Sequence, residues 1–184
     1  MKSLTPTISD QSAARVPARW RKEVARILIT DDEIARRIRR MSRDIASDFA
    51  GREMVVVSLL NGTVMFLADL IRNLSLPLRL DVRGRDVLLV DDILDTGRTL
   101  DRVLAKLRAL KPGTIKTCVL LNKAARRVAT VQADYVGFEI PDVFVVGYGL
   151  DFAERYRNLP FVGVLHPRVY KEIQRKLGSA ELTP

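Results

Sequence analysis

Three aspartates lie within five positions of the sequence, where residues 87–100 read VLLVDDILDTGRTL. Asp91 and Asp92 directly follow an aliphatic run, and Asp95 comes three residues later. Carboxylates this close repel one another unless a cation or hydrogen-bond donors compensate their charge. The Thr-Gly-Arg-Thr stretch at 96–99 offers hydroxyl and backbone N–H donors. The segment therefore predicts a site with acids at one end and an anion-binding loop at the other.

The elements around these residues favour a ligand that carries a phosphate. The aliphatic run Val87–Val90 predicts a buried strand, and a helix is predicted from about Thr99 to Leu110. Ligands of open α/β sheets lie beyond the carboxyl ends of the strands. Gly97 would let the backbone approach a phosphate, which the helix N-terminus would also attract. A ribose 5-phosphate fits this arrangement. Alternatively, the aspartates are solvated loop acids and the threonines only cap the helix.

Apolar spacing along the rest of the chain predicts strands that alternate with helices. Thr30 and Glu33 form a capping box, and an amphipathic helix follows that ends near Gly51. A second helix, with Thr63 as its N-cap, is predicted from the apolar spacing between Phe66 and Leu74, and a short helix is predicted at Lys171–Leu177. The other strands are predicted at Met54–Leu60, Thr117–Leu121, Tyr135–Glu139 and Val143–Gly147. This alternation predicts an α/β fold with a parallel sheet that is covered on both faces.

Length and composition predict one domain with a small appendage in the 184-residue chain. Residues 1–24 are polar and arginine-rich and predict a flexible N-terminal arm, which leaves 25–184 as the domain. The longest apolar runs are too short to span a bilayer. Cys118 is the only cysteine, so an internal disulfide is excluded, and a reducing, cytoplasmic location is expected.

The formal net charge of +9 has two interpretations. Clustered cations bind the backbone of nucleic acids, whereas a basic face around a site attracts a small phosphorylated substrate. The densest group of arginines lies on the polar side of the first predicted helix, which favours a solvated surface over a nucleic-acid partner. Its members are Arg36, Arg37, Arg39, Arg40 and Arg43.

A family resemblance rests on several segments. VLLVDDILDTGRTL closely resembles the phosphoribosyl-pyrophosphate signature of the type I phosphoribosyltransferases. The chain also resembles the hypoxanthine-guanine phosphoribosyltransferases from about Ile27 to Leu165, in family order. The segments are ILITDDEIARRI, VSLLNGTVMFLADLIR, LLNKAARR and VGFEIPDVFVVGYGLDFAERYRNLPFVGVL. The resemblance implies the type I phosphoribosyltransferase fold, a central, mostly parallel sheet flanked by helices, with a small hood formed by the chain ends.

For the donor substrate, phosphoribosyl pyrophosphate, the resemblance implies three groups of residues. Asp91 and Asp92 would hold the ribose hydroxyls, directly or through magnesium. Residues around the 5-phosphate would be Asp95, Thr96, Gly97, Arg98 and Thr99. Pyrophosphate would be held by the turn Leu60–Thr63 and by a cation, with Asn61, Gly62 and Arg157 as the binding residues. Many family members have a lysine or arginine in place of Asn61.

For the acceptor, the resemblance implies a 6-oxopurine, hypoxanthine or guanine. Asp95 would face N7 as the catalytic base or acid, and Lys123 would donate to the 6-oxo group. Phe144 would stack on the base, Val145 would offer backbone groups to its edge, and Asp151 would lie near the exocyclic position. A lysine donor disfavours adenine, whose amino group is itself a donor. The implied cofactor is Mg²⁺, with Asp91, Asp92 and Asp151 as ligands.

The implied activity is purine salvage. The implied assembly is a homodimer or homotetramer, and no membrane partner is expected. The alternative is a regulator on the same fold that senses phosphoribosyl pyrophosphate and binds nucleic acid.

The sequence departs from the family pattern in one segment, because the family carries a long mobile loop where this chain runs from Leu80 to Val87. Roughly 25 residues of that loop have no counterpart here. Either the gene lacks them or they are missing from the sequence, in which case a backbone break is expected near Leu80–Val82.

Overall fold

A computed structural model describes residues 16–76, 78–79 and 82–171. The break expected near Leu80–Val82 falls outside these residues, as does the helix predicted at Lys171–Leu177 beyond its first residue. No helix in the described ranges is both long and apolar enough to cross a membrane.

The main sheet has five parallel strands in the order β3-β2-β4-β5-β6. They are β2 (Met54–Ser58), β3 (Leu78–Arg79), β4 (Asp86–Leu94), β5 (Ile115–Asn122) and β6 (Tyr135–Glu139). The aliphatic runs of the central strands, Val87–Val90 and Cys118–Leu121, are completely buried. Both faces of a central parallel strand are covered, which explains why these runs are continuously apolar.

Helices cover both faces of this sheet. They are α1 (Asp31–Asp48), α2 (Val64–Asn73) and α3 (Arg98–Ala109). Leu88 and Val90 of β4 join one apolar cluster with α1 and α2, whereas Val87 and Leu89 join a second cluster with α3. This division follows from the alternation of side chains along a strand. The predicted α/β layers are confirmed.

The capping box at the start of α1 is confirmed. The Glu33 N–H donates to Thr30 Oγ1 at 3.3 Å, and the Thr30 N–H donates to Glu33 Oε2 at 2.8 Å. These reciprocal bonds satisfy two N–H groups that have no partner within the helix.

A second, antiparallel sheet forms the predicted hood from both ends of the chain. Its strands are β1 (Val24–Ile29), β8 (Val162–Leu165) and β7 (Val145–Val146), in that order. Residues 16–23, the described part of the predicted arm before β1, pack onto the hood. Val16 is completely buried, and the ring of Trp20 lies 5.4 Å from that of Tyr156. Over residues 1–15, which lie outside the described ranges, the arm stays a prediction.

The strand that carries the acids is longer than predicted. β4 continues through Asp91 and Asp92 to Leu94, because Ile93 and Leu94 still pair with β5. On the other side, β2 stops at Ser58, shorter than the predicted Met54–Leu60. The flank of β4 next to its acids is therefore left to the turn that follows β2.

Candidate active site

A cavity of about 340 Å³ lies at the carboxyl end of β4. It is bounded by the turn after β2, the acids of β4 and the loop that leads into α3. Its lining residues include seven of the predicted site residues: Gly62, Asp91, Asp92, Asp95, Thr96, Gly97 and Thr99. Asn61, Arg98, Lys123, Phe144, Val145, Asp151 and Arg157 do not line it. A larger cavity of about 580 Å³ beside the C-terminal end of α3 is lined by none of the predicted residues.

Asp91 and Asp92 form a buried pair of carboxylates. Asp91 is 9% exposed, and its Oδ1 accepts hydrogen bonds from the Asp92 N–H at 3.0 Å and from Thr63 Oγ1 at 3.4 Å. Asp92 Oδ1 accepts from the Ile93 N–H at 2.7 Å. Burial, reinforced by the charge of Asp92, raises the pKa of Asp91 to about 7, and burial also raises the pKa of Asp92. The pair therefore favours a bound proton or an external cation.

This raised pKa predicts how the stability of the ligand-free protein depends on pH. The folded protein holds the Asp91 proton up to about pH 7, whereas the ordinary carboxyl pKa is 3.8. The stabilising contribution is therefore complete below pH 3.8 and is lost as the pH rises through 7. We expect Asp91→Asn to raise the melting temperature by a few degrees at pH 8 and to have less effect at pH 5. Thermal denaturation from pH 5 to 8 checks this, with exposed Asp101→Asn as control. Equal shifts at every pH would contradict it.

The loop between β4 and α3 has the geometry of an anion-binding loop. Gly97 precedes the first helical residue, Arg98, and has a φ of +82°, which favours glycine. A Cβ at this position would lie 2.8 Å from Val131 Cγ1. The free N–H groups at the N-terminus of α3 follow directly and suit a phosphate. Thr99 lines the cavity, whereas Arg98 is exposed and does not.

Asp95 offers an unused acceptor at the edge of the same cavity. Its Oδ1 is buried and has no hydrogen-bond partner among the described residues, while Oδ2 lies 3.6 Å from Arg126 Nη1. An unpaired buried carboxylate oxygen is costly unless a ligand or water completes it. Asp95 is therefore placed to accept a proton from a molecule bound in the cavity.

The turn after β2 contacts both the acids and a hood loop. A Cβ on Gly62 would lie 1.9 Å from Asp92 Oδ2, and a Cβ on Gly149 would lie 2.0 Å from the Gly62 carbonyl oxygen. At residue 149 the clash is with backbone, so only glycine fits there, whereas a side chain at residue 62 would have to displace the Asp92 carboxylate. Thr63 occupies the predicted N-cap position of α2, but its hydroxyl donates to the Leu59 carbonyl oxygen and does not cap the helix. The turn, Asp92 and residue 149 therefore hold one another in place.

The contact at Gly149 predicts a stability difference between two alanine variants. Gly149 has φ +98° and Gly51 has φ +72°, so alanine strains the backbone by roughly 1–2 kcal/mol at either site. A Cβ on Gly51 would have no other atom within 4 Å, whereas a Cβ on Gly149 would meet Gly62. We expect Gly149→Ala to lower the free energy of unfolding by about 1–3 kcal/mol more than Gly51→Ala. Urea denaturation measures both, and equal losses would contradict the contact.

Lys123 lies beside the segment that carries Phe144 and Val145. Its side chain is buried, and Nζ donates to the Val143 carbonyl oxygen at 2.9 Å and lies 3.6 Å from Asp142 Oδ1. The Lys123 N–H donates to the Leu94 carbonyl oxygen at 3.0 Å, next to Asp95. Lys123 thus connects the loop after β4, through its backbone, to the segment that leads into β7, through its buried ammonium group.

Phe144 belongs to an aromatic group at the edge of the hood. It is 37% exposed, stacks on Tyr170 with 5.3 Å between ring centroids, and meets the Phe152 ring edge-on at 5.0 Å. Val145, the first residue of β7, is 7% exposed. Tyr170 and Phe152 were not among the predicted residues, and no local spacing marks them. A flat ligand would suit the exposed side of this group.

Asp151 and Arg157 form an ion pair that reaches the turn after β2. Arg157 Nη2 lies 2.7 Å from Asp151 Oδ1, and Nη1 donates to the Gly149 carbonyl oxygen at 2.8 Å. The charge of Arg157 acts to lower the pKa of Asp92, against the effect of burial. No group of three or more potential metal ligands occurs within the described ranges. The Asp91–Asp92 pair does offer carboxylate oxygens, the donor type that Mg²⁺ takes in proteins, where one or two carboxylates are usual.

Comparison with known proteins agrees with this geometry. Residues 78–153 match the phosphoribosyl transferase domain. The hypoxanthine-guanine phosphoribosyltransferase of Bacillus subtilis is 37% identical over 175 residues, which cover 81% of this chain and 97% of the relative. The bifunctional protein TilS/HprT of Listeria innocua is 38% identical over 176 residues, and the match covers 82% of this chain but only 27% of that longer protein.

Solved structures of such proteins share the fold. A hypoxanthine phosphoribosyltransferase from Staphylococcus aureus has a TM-score of 0.81 at 32% identity. The match covers 85% of this chain and 99% of the Staphylococcus aureus chain. A mutant hypoxanthine phosphoribosyltransferase from Trypanosoma cruzi, complexed with the product IMP, has a TM-score of 0.80 at 36% identity. The match covers 83% of this chain and 96% of the Trypanosoma cruzi chain.

The matched lengths also bear on the short connection between β3 and β4. The 81% of this chain that matches the Bacillus subtilis protein is about 149 of 184 residues, against 175 matched positions, so about 26 positions lack a counterpart here. This number agrees with the missing loop inferred from the sequence. The fold matches, and the identity of 37% extends over almost the whole of the Bacillus subtilis relative. The chain therefore belongs to the hypoxanthine-guanine phosphoribosyltransferases.

Proposed function

We propose that this protein transfers the 5-phosphoribosyl group from phosphoribosyl pyrophosphate to hypoxanthine or guanine, which yields IMP or GMP and pyrophosphate. The observation that carries the proposal is the single cavity lined by paired acids, a phosphate-type loop and the turn after β2. Membership of the family supports the substrates. The regulator alternative has no support among the relatives, which are named as transferases.

In this proposal the donor lies along the cavity. Asp91 and Asp92 bind the ribose hydroxyls, and the 5-phosphate occupies the loop formed by Asp95, Thr96, Gly97, Arg98 and Thr99. Pyrophosphate is bound by the backbone of Asn61 and Gly62 and by the guanidinium of Arg157. The contact of Gly62 with Gly149 supports this grouping, because Arg157 donates to the same Gly149 carbonyl.

The reaction displaces pyrophosphate from C1 of the ribose. A ring nitrogen of the purine forms the new bond to C1 while the C1–oxygen bond breaks and its electron pair leaves with pyrophosphate. Asp95 accepts the proton that the purine loses from N7, a role that its unpaired Oδ1 allows. Arg157 stabilises the charge on the departing pyrophosphate.

The purine lies between the phosphate loop and the hood. The ammonium of Lys123 donates to the 6-oxo group, the ring of Phe144 stacks on the base, and the backbone of Val145 meets its edge. Asp151 faces the exocyclic position. The hydrogen bond from Lys123 to the Val143 carbonyl supports this placement, because it holds the ammonium beside residues 144 and 145.

Magnesium is the proposed cofactor. Asp91 and Asp92 would hold it together with sugar and pyrophosphate oxygens, with Asp151 as a further ligand. When bound, it supplies positive charge that favours the departure of pyrophosphate. The raised pKa of Asp91 supports a cation at this place, since a metal compensates the buried charge of the pair.

We further infer a cytoplasmic homodimer or homotetramer. The only cysteine is buried, and burial raises its pKa, so the thiol is protected from oxidation. The outer side of α2 and the preceding turn expose Leu60, Val64, Met65 and Ile71, which suits a contact between subunits.

The test of the activity supplies magnesium, phosphoribosyl pyrophosphate and one base at a time. We expect nucleotide from hypoxanthine or guanine and far less from adenine, detected by chromatography; xanthine serves as the third oxopurine. Absence of nucleotide from every base would contradict the proposed function.

The connection between β3 and β4 predicts a side reaction with water. Its described residues lie at the amino end of the sheet, where the Gly84 N–H donates to the Lys111 carbonyl and the Gly113 N–H to that of Arg85. Asp91 is five residues beyond Asp86 along β4, about 16 Å away at roughly 3.3 Å per residue. No described residue of this connection lines the cavity, and the prediction applies to a chain whose gene lacks the loop of the family, in which water can reach C1.

We therefore expect base-free hydrolysis of phosphoribosyl pyrophosphate to ribose 5-phosphate and pyrophosphate. In this step a water oxygen bonds to C1, the bond to pyrophosphate breaks, and the water proton goes to solvent. Release of pyrophosphate without base, measured against an enzyme-free blank, checks the prediction. A rate equal to the blank, from protein that forms nucleotide normally, would contradict it.

A further inference from the structure

The guanidinium of Arg127 joins the loop after β4 to the loop after β5. Nε donates to the Asp95 carbonyl oxygen at 3.0 Å, and Nη2 donates to the Leu94 carbonyl oxygen at 3.1 Å. Nη2 also donates to Asn122 Oδ1, and Nη1 donates to the Val131 carbonyl oxygen at 2.8 Å. Two of its four acceptors are thus backbone groups at the start of the proposed phosphate loop, more than thirty positions away in sequence.

Further contacts fix the two loops against each other. The Thr96 carbonyl oxygen accepts hydrogen bonds from the N–H groups of Val128 and Ala129, both at 3.0 Å. A Cβ on Gly97 would lie 3.1 Å from Arg127 Cδ and 3.2 Å from Ala129 Cβ. The backbone of the phosphate loop therefore lies directly on residues 127–131, with the stem of Arg127 beneath Gly97.

Lys123 lies at the start of the same loop after β5. The contacts of this loop therefore reach both the proposed phosphate-binding residues and the proposed purine-binding residues. The Lys123 N–H donates to Leu94, the carbonyl that Arg127 also engages. Arg126, by contrast, has a 55% exposed side chain and only approaches Asp95 Oδ2 at 3.6 Å. The planar guanidinium of Arg127 holds several acceptors at fixed angles, which a lysine cannot reproduce.

We propose that Arg127 is a positioning residue that holds the backbone of Asp95, Thr96 and Gly97 in the geometry that binds the 5-phosphate and presents Asp95 to the base. It acts through these residues and does not contact substrate. The inference rests on the proposed function, but the support of the loop can be measured without it.

The kinetic test compares Arg127→Met and Arg127→Lys with Arg126→Gln, the adjacent exposed control. We expect Arg127→Met to raise KM for phosphoribosyl pyrophosphate about tenfold and to lower kcat by about 10²-fold, because misplaced groups lose their orientation. KM for hypoxanthine should change less. Millimolar guanidinium should restore part of the activity of Arg127→Met and none of that lost in Arg127→Lys, whose ammonium fills the space. Arg126→Gln removes the ion pair with Asp95 Oδ2 but no hydrogen bond to the loop backbone, so it should leave KM for phosphoribosyl pyrophosphate within about threefold of that of the unaltered protein.

The second measurement is hydrogen exchange of the ligand-free protein, which needs no activity. Arg127→Met should accelerate amide exchange in peptides that cover 95–99 and leave peptides of α1 unchanged, whereas Arg126→Gln should change neither. If Arg127→Met does not fold, Arg127→Lys takes its place and should show the same local acceleration. Unchanged exchange at 95–99, or kinetics equal to those of Arg126→Gln, would overturn the inference. Unaltered protein that forms no nucleotide but shows the local acceleration would instead contradict only the proposed function.

Discussion

Replacing Asp95 with asparagine is expected to lower kcat by about 10²–10⁴-fold, the usual contribution of a general base. Asp95 lines the cavity, and its buried Oδ1 has no partner among the described residues, so the carboxylate keeps an acceptor for a proton that an amide could not take. The backbone of Asp95 is held by Arg127 through its carbonyl oxygen, which asparagine retains. KM for phosphoribosyl pyrophosphate should therefore change little.

Steady-state kinetics with hypoxanthine measure this effect. Asp101→Asn on the exposed side of α3 is the matched control, since it makes the same chemical change six residues further along the chain. A kcat within a few-fold of the unaltered protein would exclude Asp95 as the base.

Replacing Lys123 with methionine should remove most of the preference for oxopurines. Methionine keeps an unbranched stem but no donor, so the 6-oxo group would be buried without its partner at a cost of about 1–3 kcal/mol. This corresponds to a fall in kcat/KM for hypoxanthine of roughly 10–10²-fold. Adenine already lacks a matching acceptor, so kcat/KM for adenine should fall little. The ratio of kcat/KM for hypoxanthine to kcat/KM for adenine should therefore decrease.

Competition between hypoxanthine and adenine measures that ratio directly. Lys116→Met is the control, because Lys116 lies at the opposite end of the same strand and pairs with the carboxylates of Asp48 and Asp134 near the surface. An unchanged ratio in Lys123→Met would contradict the role of the ammonium. An equal loss for both bases would indicate that Lys123 supports the loop and does not select the base.

The sequence predicted the centre of the sheet and the cluster of acids because both depend on local pattern. A parallel strand that is buried on both faces must be continuously apolar, and the VLLV run before Asp91 satisfies this. Acids and a glycine at the carboxyl end of such a strand meet in one place by topology alone. The predicted end of β4 was wrong by four residues, because aspartates usually mark the end of a strand, whereas here Ile93 and Leu94 still pair with β5.

Other features depend on parts of the chain that are distant in sequence. β1 and β8 are short, and they pair although almost the whole domain separates them in sequence; within the described residues β1 has no other strand partner. Arg126 and Arg127 are identical neighbours in the sequence, and only the approach of two loops shows that one is exposed while the other makes four hydrogen bonds. The close contact of Gly62 with Gly149 is likewise invisible to any pattern within a single segment.

The pairing of β1 with β8 also constrains the order in which the protein can fold during synthesis. Val24 pairs with Leu165, about 140 residues later, so this contact forms late. By Glu139 all five strands of the parallel sheet have been made, together with the loop after β4. A chain interrupted before Val162 would therefore leave the apolar strand Val24–Ile29 without its partner, and unpaired strands of this kind promote aggregation. Only a chain that has been synthesised through β8 can therefore complete the hood sheet, and shorter chains are expected to be substrates for degradation.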